Sequence, residues 1–392
     1  MTLPAFPAYA QNILITTTQS HYRHFFERAV AGGYLDTAAE GLPAPGVSEA
    51  LNEYVLEKAA GTSGRRKHFS KEKEARSLAA QLLGTDTVNV AFAPTTSDAL
   101  NLLAASLPFA SGDEVVITDL EFPSNVLPWL ALARRGVRTV VVPSSGGVVN
   151  LSDLTDAINA RTRLVSISLV SYKSGAYFPH MPELAERVHK AGGALCVDAT
   201  QALGRCPVPL DGVDYMMASS FKWLMGPHGL AIAYLSPEFR KQFDLAGVGW
   251  YSVDDVFSSD RFERYSLKSG AACISAGMPN FPALYGMCEA LRFALTVNHT
   301  EEQARVNGLS MELRRQLQNR RLRLLTPADP GLVSGIVSFE HPQAVPIGEA
   351  LEREGVTVWA GDGRVRASLH FYNDTTDVDL YLSALDKVLA SL

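Results

Sequence analysis

Cysteine is scarce in this chain: Cys196, Cys206, Cys273 and Cys288 are the only four among 392 residues. None stands in a CxxC pair, so a dithiol redox motif or a cysteine-built zinc site is not expected, and free thiols in a reducing cytoplasm are. Histidine is also sparse. Its close pair, His21 and His24, has no set of acidic or thiol partners nearby, so no metal site is predicted. No apolar run reaches the roughly 18 residues a membrane span needs. The N-terminus lacks the basic segment and apolar core of a secretory signal. Charge is nearly balanced, 35 basic against 41 acidic residues with a net charge of −6, which argues against nucleic acid or an anionic membrane as a partner. The most basic stretch, RRQLQNRRLR (314–323), spaces its arginines along a predicted helix and reads as a solvated face.

What is present is an ordinary globular composition, 47% hydrophobic and 19% charged, long enough for two domains that share a core. Seven short β-branched or apolar runs occur between residues 87 and 235: TVNVAFA (87–93), DEVVIT (113–118), VRTVVV (137–142), RLVSISLV (163–170), GALCVD (193–198), DYMMAS (214–219) and GLAIAYL (229–235). Segments with helical spacing separate most of them, for example TSDALNLLAASL (96–107). This alternation predicts an α/β fold with a mostly parallel seven-stranded sheet covered by helices. Only a loop and a short turn join the last two runs, so one of them is expected to run antiparallel. Residues 244–270 are turn-rich. A long helical pattern then runs from 282 to 317, followed by strands near 334–340 and 363–371 and a helix over 376–392. The expected division is a large domain over 34–270 and a smaller α+β domain built from 1–33 and 271–392, with a cleft between them.

Ligands of parallel α/β sheets gather at the carboxyl ends of the strands. After the first run come Pro94, Thr95, Thr96, Ser97 and Asp98 and then a helix, which is either an anion cup or a plain helix cap. Phe122 follows the second run, Asp198 and Gln201 the fifth, and Ser219 and Lys222 the sixth. Lys222 sits between Phe221 and Trp223. An amine pressed into an apolar wall tends toward its neutral, nucleophilic form.

Each feature is ordinary alone. Together, VDATQALG (197–204), the lysine turn ASSFKWLMGPHG (218–229), YLDTAAEGLP (34–43) and RVRASLHFYNDTTDVD (364–379) resemble the class V aminotransferase family of pyridoxal-phosphate enzymes. That family includes cysteine desulfurases, selenocysteine lyases, isopenicillin N epimerase-like proteins and kynureninases. The resemblance covers nearly the whole chain and implies fold type I, pyridoxal 5'-phosphate as cofactor, an amino-acid substrate and a homodimer with sites near the subunit interface. It also implies the roles of individual residues. Lys222 is the Schiff-base lysine and Asp198 the carboxylate beside the pyridine nitrogen. Gln201 donates to the phenolic oxygen and Phe122 stacks on the ring. Thr96, Ser97, the backbone of Asp98 and Ser219 hold the phosphate. Arg366 grips the substrate α-carboxylate.

The chain departs from the family pattern in several places. Phe122 stands where desulfurases commonly carry histidine, and Phe221 where many carry a second one. Met278 replaces a threonine that reaches the neighbouring subunit's phosphate, with Asn280 a substitute donor. Tyr172 replaces an asparagine beneath the substrate. The loop GVTVWAGDGR (355–364) is short and has no cysteine. A persulfide-forming desulfurase needs a thiolate there, and Cys273, the one cysteine in a loop-like segment, has the wrong context. The resemblance therefore predicts an aminotransferase or a cysteine-independent β-lyase acting on a C–S, C–Se or related bond. An isopenicillin N epimerase-like enzyme, a persulfide-type desulfurase and an inactive cofactor-binding module are the alternatives.

Overall fold

The computed structural model describes residues 19–391. Its centre is a seven-stranded sheet: β1 (Val90–Ala93), β2 (Glu114–Thr118), β3 (Arg138–Val142), β4 (Thr162–Ser168), β5 (Ala194–Asp198), β6 (Tyr215–Ser219) and β7 (Ala231–Leu235). The spatial order is β1-β7-β6-β5-β4-β2-β3. β7 pairs antiparallel with both β1 and β6, and the remaining pairs are parallel. The strand expected to run backwards is thus β7.

These strands read as continuous apolar runs because both faces are covered. Val197, Met216, Ala218 and Ile232 pack into a core on one side, while Cys196, Tyr215, Met217 and Ala233 pack into the core on the other. Successive strand residues point to opposite faces, so a strand with both faces buried cannot alternate apolar with polar residues. Edge strand β3 is the exception: Arg138 and Val141 are exposed.

Helices α1 (Val47–Ala59) and α2 (Thr62–Leu83) cover one face together with α3 (Phe281–Thr296). Phe281, Leu284, Met287 and Leu291 join the core that contains Ala75, Ala79 and Leu83 of α2. A further helix, α4 (His299–Asn319), packs instead on a second core with α5 (Thr375–Ala390). The single helical pattern expected over 282–317 is therefore two helices. Val297 is extended, and the Asn298 side chain accepts a hydrogen bond from the Glu301 amide, starting α4 afresh. Asparagine before a helical run is a favoured cap.

The second core lies under a four-stranded antiparallel sheet of β8 (Arg323–Leu324), β9 (Ile336–Glu340), β10 (Trp359–Gly361) and β11 (Arg364–Ser368), in the order β10-β11-β9-β8. Gly33–Tyr34 pairs in parallel with Val356–Thr357 beside it. In the segment expected to be irregular, 244–270, only the isolated bridge between Val253 and Leu267 breaks the run of turns. Of the helical segment expected over 1–33, the structure describes a 3-10 turn, Arg23–Phe25, and a short helix, Glu27–Ala31; residues 1–18 lie outside the described residues.

Candidate active site

Strands β1, β2, β4, β5 and β6 end on the same edge of the large sheet. The residues just beyond them enclose a cleft of about 240 Å³ lined by Thr95, Thr96, Ser97, Phe122, Ser124, Ser168, Val170, Tyr172, Asp198, Thr200, Gln201, Ser219, Phe221 and Lys222. Parallel strands make this convergence unavoidable, because they bring sequence-distant loops to one edge.

The floor is acidic and buried. Asp198 ends β5 and is 6% exposed. The Thr200 amide donates to its Oδ1 at 2.8 Å. Burial pushes the carboxyl group above its usual range, against the Thr200 hydrogen bonds and the Lys222 charge that pull it down. No ion pair among the described residues neutralises it. A ligand bringing a protonated ring nitrogen to this place would supply the missing partner.

The lysine stands opposite. Burial first, and then the Arg366 charge, lower the Lys222 pKa to about 8, although Asp198, Asp36 and Glu40 pull the other way. Its Nζ lies 5.4 Å from the Phe122 ring centroid and 5.6 Å from that of Phe221. The turn that carries it is clamped by backbone. The Gly41 amide donates to the Phe221 carbonyl at 2.8 Å, and a Cβ on Gly41 would stand 1.9 Å from the Lys222 carbonyl oxygen. Only glycine permits that approach.

Hydroxyl groups form one wall. Thr96 Oγ1 and Ser219 Oγ are 3.4 Å apart, and Ser97 and Ser124 share a hydrogen bond of 2.8 Å. They surround the N-terminus of the helix Thr96–Ser106, where free amides favour an anion. Gln201 donates through Nε2 to the Ala38 carbonyl at 3.0 Å and accepts from the Trp223 indole at 2.6 Å. These two bonds fix the carboxamide orientation and leave its second N–H available.

The structure brings Thr96, Ser97, Phe122, Tyr172, Asp198, Gln201, Ser219 and Lys222 to this cleft. It does not bring Asp98 or Asn280 to its lining. Asp98 donates its amide to Thr95 Oγ1 at 3.0 Å in an ordinary N-cap. The Asn280 side chain caps α3 and donates to the Gly229 carbonyl at 2.9 Å. Met278 is exposed. Arg366 lies behind the cleft, donating to the Tyr172 carbonyl at 3.1 Å. All four cysteines are buried, and burial raises the pKa of the Cys273 thiol. No three His, Cys, Asp or Glu side chains gather as a metal site among the described residues.

Two residues inside the matching stretches that the sequence reading gives no role also matter. Thr200 accepts from the Ser219 amide and so ties β5 to β6. Asp36 lies 3.7 Å from an Arg366 nitrogen. It belongs to a strap that crosses from the small sheet to the lysine turn. Asp36 bridges Ser368, the Ala38 amide donates to Ser368 Oγ, the Ala38 carbonyl accepts from Gln201, and the Gly41 amide donates to the Phe221 carbonyl. Its only sequence signal is the YLDTAAEG stretch itself.

The sequence pattern described as aminotransferase class-V matches residues 33–381. The chain belongs to the class V aminotransferase family. Members of this family are pyridoxal-phosphate-dependent enzymes, and so is this one. A probable cysteine desulfurase from Pseudomonas aeruginosa is 30% identical over 386 residues, covering 92% of this chain and 94% of that protein. One from Pyrococcus abyssi is 27% identical over 385 residues, covering 92% and 94%. The apo structure of a cysteine desulfurase from Thermococcus onnurineus NA1 superposes with a TM-score of 0.87 at 25% identity, covering 96% of this chain and all of that one. The buried unpaired Asp198, the hydroxyl-lined helix N-terminus and the low-pKa Lys222 fit this family's cofactor. No helix among the described residues is long and apolar enough to cross a membrane.

Proposed function

We propose that this enzyme breaks a carbon–sulfur or carbon–selenium bond at Cβ of an α-amino acid without passing the heteroatom to a protein thiol. The observation that carries the reading is the state of the cysteines. All four are buried, and the hairpin of β10 and β11, which carries Arg366, holds Trp359 and Arg364 where a desulfurase would present a nucleophile. A thiol without access to substrate cannot attack its sulfur. The relatives named probable cysteine desulfurase support the sulfur chemistry, and the buried thiols set this chain apart from the persulfide route.

In this reading Thr96, Ser97 and Ser219 hold the phosphate, Asp198 sits by the ring nitrogen, Gln201 offers its free N–H to the phenolic oxygen and Phe122 covers one ring face. Bound there, pyridoxal phosphate supplies the sink for the electron pair left at Cα. Arg366 grips the α-carboxylate through its planar fork. Lys222 Nζ takes the proton from Cα when neutral and returns it to the departing heteroatom. Phe221 and Phe122 keep water from the amine. We assign the same chain a homodimeric state and a cytoplasmic location. The domain boundary is better drawn after Thr296 than at 270, because α3 packs with the large sheet's helices.

The test is product analysis on a variant with all four cysteines replaced by serine or alanine, given cysteine, cysteine sulfinate, selenocysteine, kynurenine and alanine. Pyruvate and ammonia formed together with sulfide or selenide, or alanine formed together with sulfite from cysteine sulfinate, supports the reading. Loss of turnover on cysteine removal, with cofactor still bound, would restore the persulfide route. A stable amine form of the cofactor that a 2-oxo acid reverses would make the enzyme an aminotransferase, and Cα racemisation alone would make it an epimerase.

A further inference from the structure

Two buried guanidinium groups, not one, stand behind the substrate end of the cleft. Arg364 and Arg366 both belong to β11 and are 1% and 3% exposed. Alternate residues of a strand leave the same face, about 6–7 Å apart along the chain. The Trp359 ring centroid is 4.6 Å from the Arg364 guanidinium carbon and 5.1 Å from that of Arg366. The Arg364 carbon is also 5.1 Å from the Tyr172 ring, and Tyr172 lines the cleft. Tyr172, Arg364, Trp359 and Arg366 therefore form one stacked cluster against the cleft wall, which Arg366 also touches through the Tyr172 carbonyl.

Stacking occupies the faces of a guanidinium and leaves its N–H edge to find acceptors. Those acceptors are few. Arg366 has the Tyr172 carbonyl and, at 3.7 Å, Asp36, beyond hydrogen-bond reach. Arg364 has Asp362, whose side chain is 70% exposed. The Nε of each arginine is buried with no hydrogen-bond partner among the described residues. A buried donor left unmade carries a penalty that an arriving anion would lift. One such cation suffices for an α-carboxylate, so a neutral amino acid leaves the second unused.

We propose that the substrate is a sulfur or selenium amino acid whose short side chain carries a second, anionic group beyond Cβ, a carboxylate or a sulfinate, held by Arg364 while Arg366 holds the α-carboxylate. This rests on the α-carboxylate role given to Arg366 above. Trp359, wedged between the two arginines, sets their spacing and so the length of side chain accepted. Selectivity comes from the unmade bond: a neutral side chain leaves the buried Arg364 Nε without an acceptor, while an anion can satisfy it in competition with Asp362.

The experiment is calorimetric titration of the cofactor-loaded enzyme with two unreactive probes of equal length, succinate and butyrate. Succinate is expected to bind at least about tenfold more tightly, the range of one charge-assisted hydrogen-bonded contact. Arg364→Met should bring the ratio near one, and Arg364→Lys should restore part of it. Asp362→Asn should move succinate affinity upward by freeing the guanidinium while leaving butyrate unchanged; it carries the test should Arg364→Met fail to fold. Equal binding of the two probes by the parent enzyme, an unchanged ratio in Arg364→Met, or weaker succinate binding in Asp362→Asn would each overturn the assignment. Product release by the cysteine-free variant is read separately, so failure here leaves the lyase reading standing.

Discussion

Asp36 Oδ1 lies 3.7 Å from Arg366 Nη2, and burial governs both groups more than their mutual attraction does. Burial raises the Asp36 pKa to about 7 even though Arg366 and Lys222 pull it down. Burial likewise lowers the Arg366 pKa to about 10, against the pull of Asp36. Each shift has the sign of lost water rather than of pairing, as expected where desolvation outweighs a long ion-pair contact.

Stability at this position should depend on pH. An unfolded aspartate titrates near about 4, so between there and about pH 7 the folded chain holds a proton on Asp36 that the unfolded chain has lost. Stability contributed by this group therefore falls as pH rises across that window and stays low above it. Asp36→Asn cannot ionise. Its melting temperature relative to the parent is expected to improve by about 1–3 °C between pH 5 and pH 8, measured by thermal denaturation. A relative loss at pH 8 would show that the contact with Arg366 outweighs burial.

The Lys222 amine, with its pKa lowered to about 8, is half neutral there and mostly protonated at pH 6. In cofactor-free protein the rate at which Lys222 captures pyridoxal phosphate should rise with pH and level off above about 9, followed by absorbance. Lys222→Ala should keep the fold and lose turnover by at least about 1000-fold. Full activity in that variant would remove Lys222 from the chemistry.

Arg366→Lys keeps the charge and loses the planar fork. It should lower kcat/KM for α-amino acids by about 100-fold while the cofactor absorbance stays unchanged. Loss of cofactor with unaltered substrate use would contradict the α-carboxylate role.

Thiol reagents offer a direct check on the buried cysteines. Native protein should show no fast-reacting thiol in a colorimetric titration, and all four should react after denaturation. One fast thiol in the native protein, with activity lost in step, would reopen the persulfide route.

Gly41→Ala should damage the site without touching a reacting atom. Its Cβ would stand 1.9 Å from the Lys222 carbonyl oxygen, so the lysine turn must move. A destabilisation of about 1–3 kcal/mol is expected from such overpacking, with weakened cofactor retention on dialysis.

Much of this site is legible in the sequence because a sheet buried on both faces leaves apolar runs whose ends are easy to see. Asp198, Ser219 and Lys222 stand at or just past the carboxyl ends of such runs, where ligands of these sheets bind. The backward direction of β7 is implied by the short connection before it. Other features are hidden for physical reasons. Helical spacing continues through Val297, so the break there shows only in the Asn298 cap. Asn280 precedes Phe281 and Pro282, a cap-and-proline helix start whose side chain is committed to the backbone. Asp36 meets Arg366 across 330 positions of chain, a distance no local pattern spans. Trp359 falls in a stretch that reads as a plain loop until β10 pairs with β11, and Arg364 stands at the start of an expected strand with nothing local to mark its burial.

The strap over 36–41 bears on how this protein can be re-engineered. It makes no large contribution to any hydrophobic core, yet it is the piece of backbone that touches β11, Gln201 and the lysine turn in succession. A circular permutant opened within it, or a tag inserted there, would unhitch the arginine side of the pocket from the lysine side. Such a molecule is expected to lose activity out of proportion to its loss of stability. New chain ends belong elsewhere on the surface.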